Sequence, residues 1–350
     1  MRFYMMIGYK KKWKIFVLFI LFISCQQEKS VFENSRVIYV KGFPETVSLI
    51  GEKQTMMPMK VSSLYIVDTF LLVKNVDQPF FFSVYNLNNQ QDMGQFVSHG
   101  RGPLEVSGVT YGGNYFYDGD SVKFWFLDVN LNKVFELNLT ASVAEGKTVL
   151  TDITTFPLRF FRTFRISNTT CFSRQYDTKR ISYVMHGLDG VCKKEWVLYE
   201  DVDQQSFYSL GSIEQLKPDG SKLILEMIDF NQINILDLKG GNNLTITTGD
   251  QLYTLKDIQD KKVEPYIYYR CSQCSDNRIF ALYLNQKNTE WRKEKKPVEI
   301  HVFDWKGNPL YKLDIPQYLS GFSMDYKNKA LYGLTVDEEI YRYDLSMFDL

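Results

Sequence analysis

Val298-Glu-Ile-His-Val-Phe-Asp-Trp-Lys-Gly-Asn-Pro-Leu-Tyr-Lys-Leu313 reads as one β-hairpin. Apolar and polar residues alternate on both sides of Asp304-Trp-Lys-Gly-Asn308, and a period of two marks half-buried strands. Asp and Asn suit the turn because their side chains bond local backbone amides and tolerate left-handed conformations. The theme recurs in Phe82-Ser-Val-Tyr-Asn-Leu-Asn-Asn89 and in Val122-Lys-Phe-Trp-Phe-Leu-Asp-Val-Asn-Leu-Asn-Lys-Val-Phe-Glu-Leu137. It returns in Ile233-Asn-Ile-Leu-Asp-Leu-Lys-Gly240 and Glu339-Ile-Tyr-Arg-Tyr-Asp-Leu345. Aromatic residues make up 15% of the chain, with 23 Tyr and 26 Phe, and stretches of helical period are scarce. The pattern predicts an all-β protein of short antiparallel strands.

Successive copies lie roughly 40 to 65 residues apart, which brackets the period of propeller blades. A four-stranded blade cannot bury both faces alone; radial stacking covers them and protects the edges. At ~50 residues per blade, the chain after its first three dozen residues holds six. The expected fold is therefore a six-bladed β-propeller over residues 37–350, each blade of four antiparallel strands. Ser35-Arg-Val-Ile-Tyr-Val40 precedes the first full blade. It is expected to supply the outer strand of the last blade and so close the ring. The charged stretch from Lys287 to Lys296 reads as a solvated hairpin loop.

The N-terminus carries an address. Lys10, Lys11, Lys12 and Lys14 precede the apolar run Ile15–Ile23, then Ser24 and Cys25. The run is less than half of the ~20 residues a spanning helix needs, and suits the core of an export signal. Residues 1–24 read as a lipoprotein signal peptide, Cys25 as the lipidated first residue of the mature chain, and 25–36 as a polar tether. Phe22 stands where the lipobox usually has Leu. The expected location is the cell envelope, held to the outer membrane by lipid, on the periplasmic face or the cell surface. Removing residues 1–24 leaves 36 basic against 41 acidic side chains, a net charge of −5. No basic stripe remains to track a phosphate backbone, so nucleic acid is not an expected partner.

Phe96-Val-Ser-His-Gly-Arg-Gly-Pro-Leu-Glu105 resembles the Gly-x-Gly-Pro-Gly-Glu element of TolB-like six-bladed propeller lipoproteins of Bacteroidetes. Gly100, Gly102, Pro103 and Glu105 match it, and Leu104 replaces the customary glycine. The Val302–Pro309 segment is similar to that family as well. The resemblance implies a six-bladed propeller and leaves the activity open. Physically the segment is a turn, since glycines take positive φ cheaply and Pro103 fixes its own φ. A sharper reading puts His99, Arg101 and Glu105 on a ligand-facing rim at one end of the central channel.

Chemistry is harder to find. His99, His186 and His301 are the only histidines, and neither a His-Glu-x-x-His nor a Gly-x-Ser-x-Gly element occurs. Cys271-Ser-Gln-Cys274 has the spacing of a redox or zinc half-site, yet it precedes a strand-like run rather than a helix, and no second pair follows. Cys171, Cys192, Cys271 and Cys274 allow three disulfide connectivities, which sequence does not choose between. Asp118, Asp120, Asp128, Asp304, Asp337, Glu338 and Glu339 are accounted for by turn chemistry, although a propeller enzyme gathers such groups around Ca²⁺. The expected function is a non-enzymatic, monomeric binding or interaction module for an envelope protein, peptide or glycan, with no cofactor. The alternative is a Ca²⁺-dependent propeller hydrolase or lyase of lactonase type.

Overall fold

The computed structural model describes residues 35–348 apart from 57–59, 103, 176, 178, 204–209, 255–256, 258–259, 261–265 and 292. The signal peptide, Cys25, most of the tether and Pro103 lie outside the described residues.

Six antiparallel sheets form a six-bladed propeller. The first, innermost strands of the blades are Val61–Val67, Val109–Asp118, Phe160–Ser167, Ser212–Leu216, Tyr266–Cys274 and Leu319–Asp325. They begin every 48 to 54 residues, so the blade period is more regular than the hairpin copies suggested. Two causes explain the scatter. The copy at 122–137 is formed by the second and third strands of its blade, whereas the one at 298–313 is formed by the third and fourth. In blade 5 the long charged loop after Arg278–Lys287 also delays the third strand, Val298–Asp304.

Turn chemistry works as the sequence indicated. The Asp304 carboxylate accepts from the Lys306 and Asn308 amides at 2.8 and 2.9 Å. Asp128 accepts from Asn130 and Leu131, and Asp237 from Lys239. Each carboxylate satisfies amides that the ladder leaves unpaired at a strand end.

The core consists of six apolar clusters, one in each gap between neighbouring blades. Between blades 1 and 2, for example, Phe82 and Phe96 meet Tyr111, Phe124 and Phe126, with Phe82 edge-on to Phe124 at 5.7 Å. Between blades 2 and 3, Trp125 and Leu127 meet Phe160, Cys171 and Val184. Period-two strands bury alternate side chains on the two faces, and each face packs on a different neighbour.

Ring closure differs from the expectation. Ser35–Val40 (β1) does not belong to the last blade; it lies parallel to Asn243–Thr248, as a fifth strand on the rim of blade 4. Thr46–Ser48 (β2) then adds a fifth strand to blade 5, parallel to Pro309–Ile315. Only Gly51–Lys53 (β3) closes the ring, pairing antiparallel with Ile340–Asp344 of blade 6. Gly51 permits that approach, because a Cβ there would stand 2.7 Å from the Tyr343 ring. The N-terminal segment thus straps three consecutive blades. An alternating strand satisfies any open edge, so its pattern could not name which one. Burial decided it: Val40 fills the cluster between blades 4 and 5, and the Ser35 hydroxyl bonds that of Thr245 at 2.6 Å.

A seven-residue helix, Leu139–Glu145, interrupts blade 2, capped by Asn138 and ended by Gly146 at φ 65°. Among the described residues no helix is long and apolar enough to cross a membrane.

Candidate ligand-binding site

The six inner strands surround a central cavity of about 1140 Å³. Lys179 and Ile228, from turns between second and third strands, line it, as do Val202 and Gly211 from the connection between blades 3 and 4. The cavity therefore opens at the end where blade-to-blade connections lie. Strand β1 runs parallel to a fourth strand, which climbs toward that end. Ser35 consequently sits at the opposite end, away from the mouth.

Charged side chains from three blades meet in this cavity. Glu214, on the inner strand of blade 4, accepts from Arg174 Nη1 at 3.0 Å and from the Tyr183 hydroxyl at 2.8 Å. Arg162 Nη1 stands 3.5 Å from its other oxygen, and Arg162 Nη2 donates to the Tyr111 carbonyl at 3.1 Å. The side chains of Arg162, Arg174 and Glu214 retain 20%, 12% and 5% of their exposure, so these charges are screened little by water. Burial alone would raise the Glu214 pKa; Arg174 and then Arg162 outweigh it and hold the carboxyl below its usual range. Lys74, on the second strand of blade 1, donates to the Val109 carbonyl at 2.7 Å. Burial, then repulsion from Arg162, lowers its pKa.

The apolar part of the wall comes from Tyr65, Phe161 and Phe322, and the Thr110 hydroxyl is buried there without a hydrogen-bond partner. Arg270 also lines the cavity, with its guanidinium 4.7 Å from the ring of Trp291 in the charged loop. That loop is thus anchored over the cavity wall through its one aromatic residue. Behind the wall, Glu226 is fully buried next to Ser272, and neither carboxyl oxygen has a hydrogen-bond partner. Burial raises its pKa well above the ordinary 4.5, so the group is held as a neutral acid.

The residues singled out from sequence lie elsewhere. His99, Arg101 and Glu105 belong to the connection from blade 1 to blade 2, at the same end as the mouth, but none lines the cavity. The Glu105 carboxylate turns back on its own loop and accepts from the Gly102 amide at 2.7 Å. A Cβ on Gly100 would lie 2.0 Å from that carboxylate, so glycine at this position makes room for the acid. The His99 ring packs edge-on to Phe81 at 5.2 Å, and Arg101 is exposed.

His186 is buried between Phe156 and Phe160, bonded to Ser173 and the Gly187 carbonyl. His301 is buried against Tyr283 with Glu299 at 3.0 Å. Cys171, Cys192, Cys271 and Cys274 all carry free thiols. Cys271 and Cys274 leave their strand on opposite faces, toward the Phe322 and Leu216 carbonyls. Three residues apart on a strand, they neither bridge nor chelate, and burial pushes the Cys271 thiol up to about 12.

Asp118 pairs with Lys123, Asp337 with Lys295 and Glu339 with Lys53, while Glu338 accepts from the Lys60 and Val61 amides. Among the described residues no group of three or more His, Cys, Asp or Glu side chains is arranged to hold a metal ion. Sequence reasoning missed Lys74, Arg162, Arg174 and Glu214. The available signal was charge inside strand runs, as in Phe160-Phe-Arg-Thr-Phe-Arg165 and Ser212-Ile-Glu-Gln-Leu216.

Inner strands, radial packing and a cavity open at one end define a six-bladed β-propeller with a charged central chamber. The chain belongs to the TolB-like 6-blade propeller-like family, which matches residues 41–327. Two solved structures share the fold. A member of the DUF4221 family from Bacteroides vulgatus ATCC 8482 is 12% identical, with a TM-score of 0.53 over 85% of this chain and 97% of that one. A protein of Bacteroides fragilis NCTC 9343, described as exported, is also 12% identical, with a TM-score of 0.55 over 88% and 99%. Among curated proteins none matches.

Proposed function

We propose that the protein is a lipid-anchored binding module of the bacterial cell envelope that holds a peptide, glycan or other small ligand in its central cavity, without chemistry on it. The cavity carries this reading. At about 1140 Å³ it slightly exceeds the ~300–1,000 Å³ typical of ligand pockets, and mixes apolar wall with a few fixed polar groups. His99 and Arg101 stand at the same end and would meet a ligand that reaches past the mouth. Gly321 gives a clean test, since it lines the wall and a Cβ there meets nothing within 4 Å. A thermal-shift screen of short peptides and oligosaccharides is expected to return ligands for the wild type that Gly321→Phe does not bind. Ligands that bind the variant equally well would move the site out of the cavity.

The exported description of the B. fragilis protein supports an envelope location, as does the signal-like N-terminus. A lipid at Cys25 would hold the Ser35 end of the propeller toward the membrane, with the mouth outward. Nine residues from Gln26 to Asn34 reach at most ~30 Å when extended. Palmitate is expected to label the wild type and not Cys25→Ala; equal labelling removes the anchor from this reading.

A further inference from the structure

Three cations line one part of the cavity wall: Arg162 and Arg174 pair with a single carboxylate, Glu214, and Lys74 lies within electrostatic reach of Arg162. Both arginines are permanently charged. Glu214 offsets one positive charge of the three, and Lys74 has only a backbone carbonyl as its hydrogen-bond acceptor. Burial first, and then repulsion from Arg162, lower its pKa. Buried charge is costly unless something of opposite sign meets it.

We propose that the ligand of the central cavity carries an oxyanion, a carboxylate or a phosphate, seated between Lys74 and Arg162, with its less polar body against Tyr65, Phe161 and Phe322. This rests on the cavity reading above. Guanidinium forks match the two-oxygen edge of either group, and Lys74 adds a point charge. The unpartnered Thr110 hydroxyl offers a neutral donor beside them. An anion there replaces the missing counter-charge, whereas a neutral ligand leaves it missing.

The experiment compares wild type, Lys74→Met and Gly321→Phe in low-millimolar inorganic phosphate, citrate or glucose, against potassium chloride of equal ionic strength. Phosphate, citrate or both are expected to raise the wild-type melting temperature, and glucose to leave it unchanged. Lys74→Met is expected to melt higher than wild type without anions, because it removes an uncompensated charge. Its anion affinity, read by calorimetry, is expected to fall about tenfold or more. Response to phosphate alone assigns a phosphate, and response to citrate alone a carboxylate.

If Lys74→Met melts lower and binds anions as the wild type does, the lysine is a strut for the Val109 carbonyl and the proposal is overturned. Anion binding retained by Gly321→Phe also overturns it, by placing the anion outside the cavity. Should the cavity bind only neutral ligands, blocked by Gly321→Phe, the binding function stands and the oxyanion does not.

Discussion

Glu214→Ala is expected to destabilise the propeller by about 3–5 kcal/mol, because it strips the counter-charge from two buried arginines and leaves the Tyr183 hydroxyl without its acceptor. For a chain of this size that corresponds to a fall in melting temperature of roughly 5–8 °C. The cost does not measure the worth of the ion pairs; it is mainly the penalty of charges left behind in a site with little water. Added phosphate is expected to restore part of the loss, since the variant has a larger unbalanced positive charge than the wild type. A variant melting within about 2 °C of wild type would show that solvent reaches both guanidinium groups and screens them.

Glu226→Gln is expected to act in the opposite direction, and with a distinct pH dependence. Burial holds the native Glu226 neutral well above the ordinary 4.5, whereas the unfolded chain ionises there. Below that value both states are protonated and the group adds no pH-dependent cost. As pH rises above 4.5 toward the native pKa, the unfolded state gains a stable carboxylate. Wild-type stability then falls by about 1.4 kcal/mol per pH unit. Gln does not ionise and escapes the loss. Chemical denaturation from pH 4 to pH 8 should therefore show the variant gaining on wild type as pH increases, with any constant offset set by unpaired amide donors. A difference that does not change with pH would mean that Glu226 is ionised in the native protein.

These two glutamates mark what could be read from the sequence. The hairpin at 298–313, the Asp304 and Asp128 turns and the alternation of Phe, Tyr, Leu and Val are local, and the structure forms them as their residues dictate. The glycine-rich loop at 99–106 was legible as a turn, but the reason for its glycines was not: neither Gly100 nor Gly102 takes a positive φ, and both lie against the Glu105 carboxylate. Glu214 and Glu226 both look like ordinary outward positions of alternating strands. One meets two arginines and the other has no counter-charge beside it.

Strand class, turn positions and, through length and repetition, the number of blades are encoded locally, because hydrogen-bonded ladders and Asp turns depend on residues a few positions apart. The place of the N-terminal strap and the contents of the cavity instead follow from packing between distant segments. Edge pairing is chosen by burial against a distant partner, as Val40 is against blades 4 and 5. The balance of charge in the chamber is likewise a sum over positions 74, 162, 174 and 214, which adjoin one another only once the ring is closed.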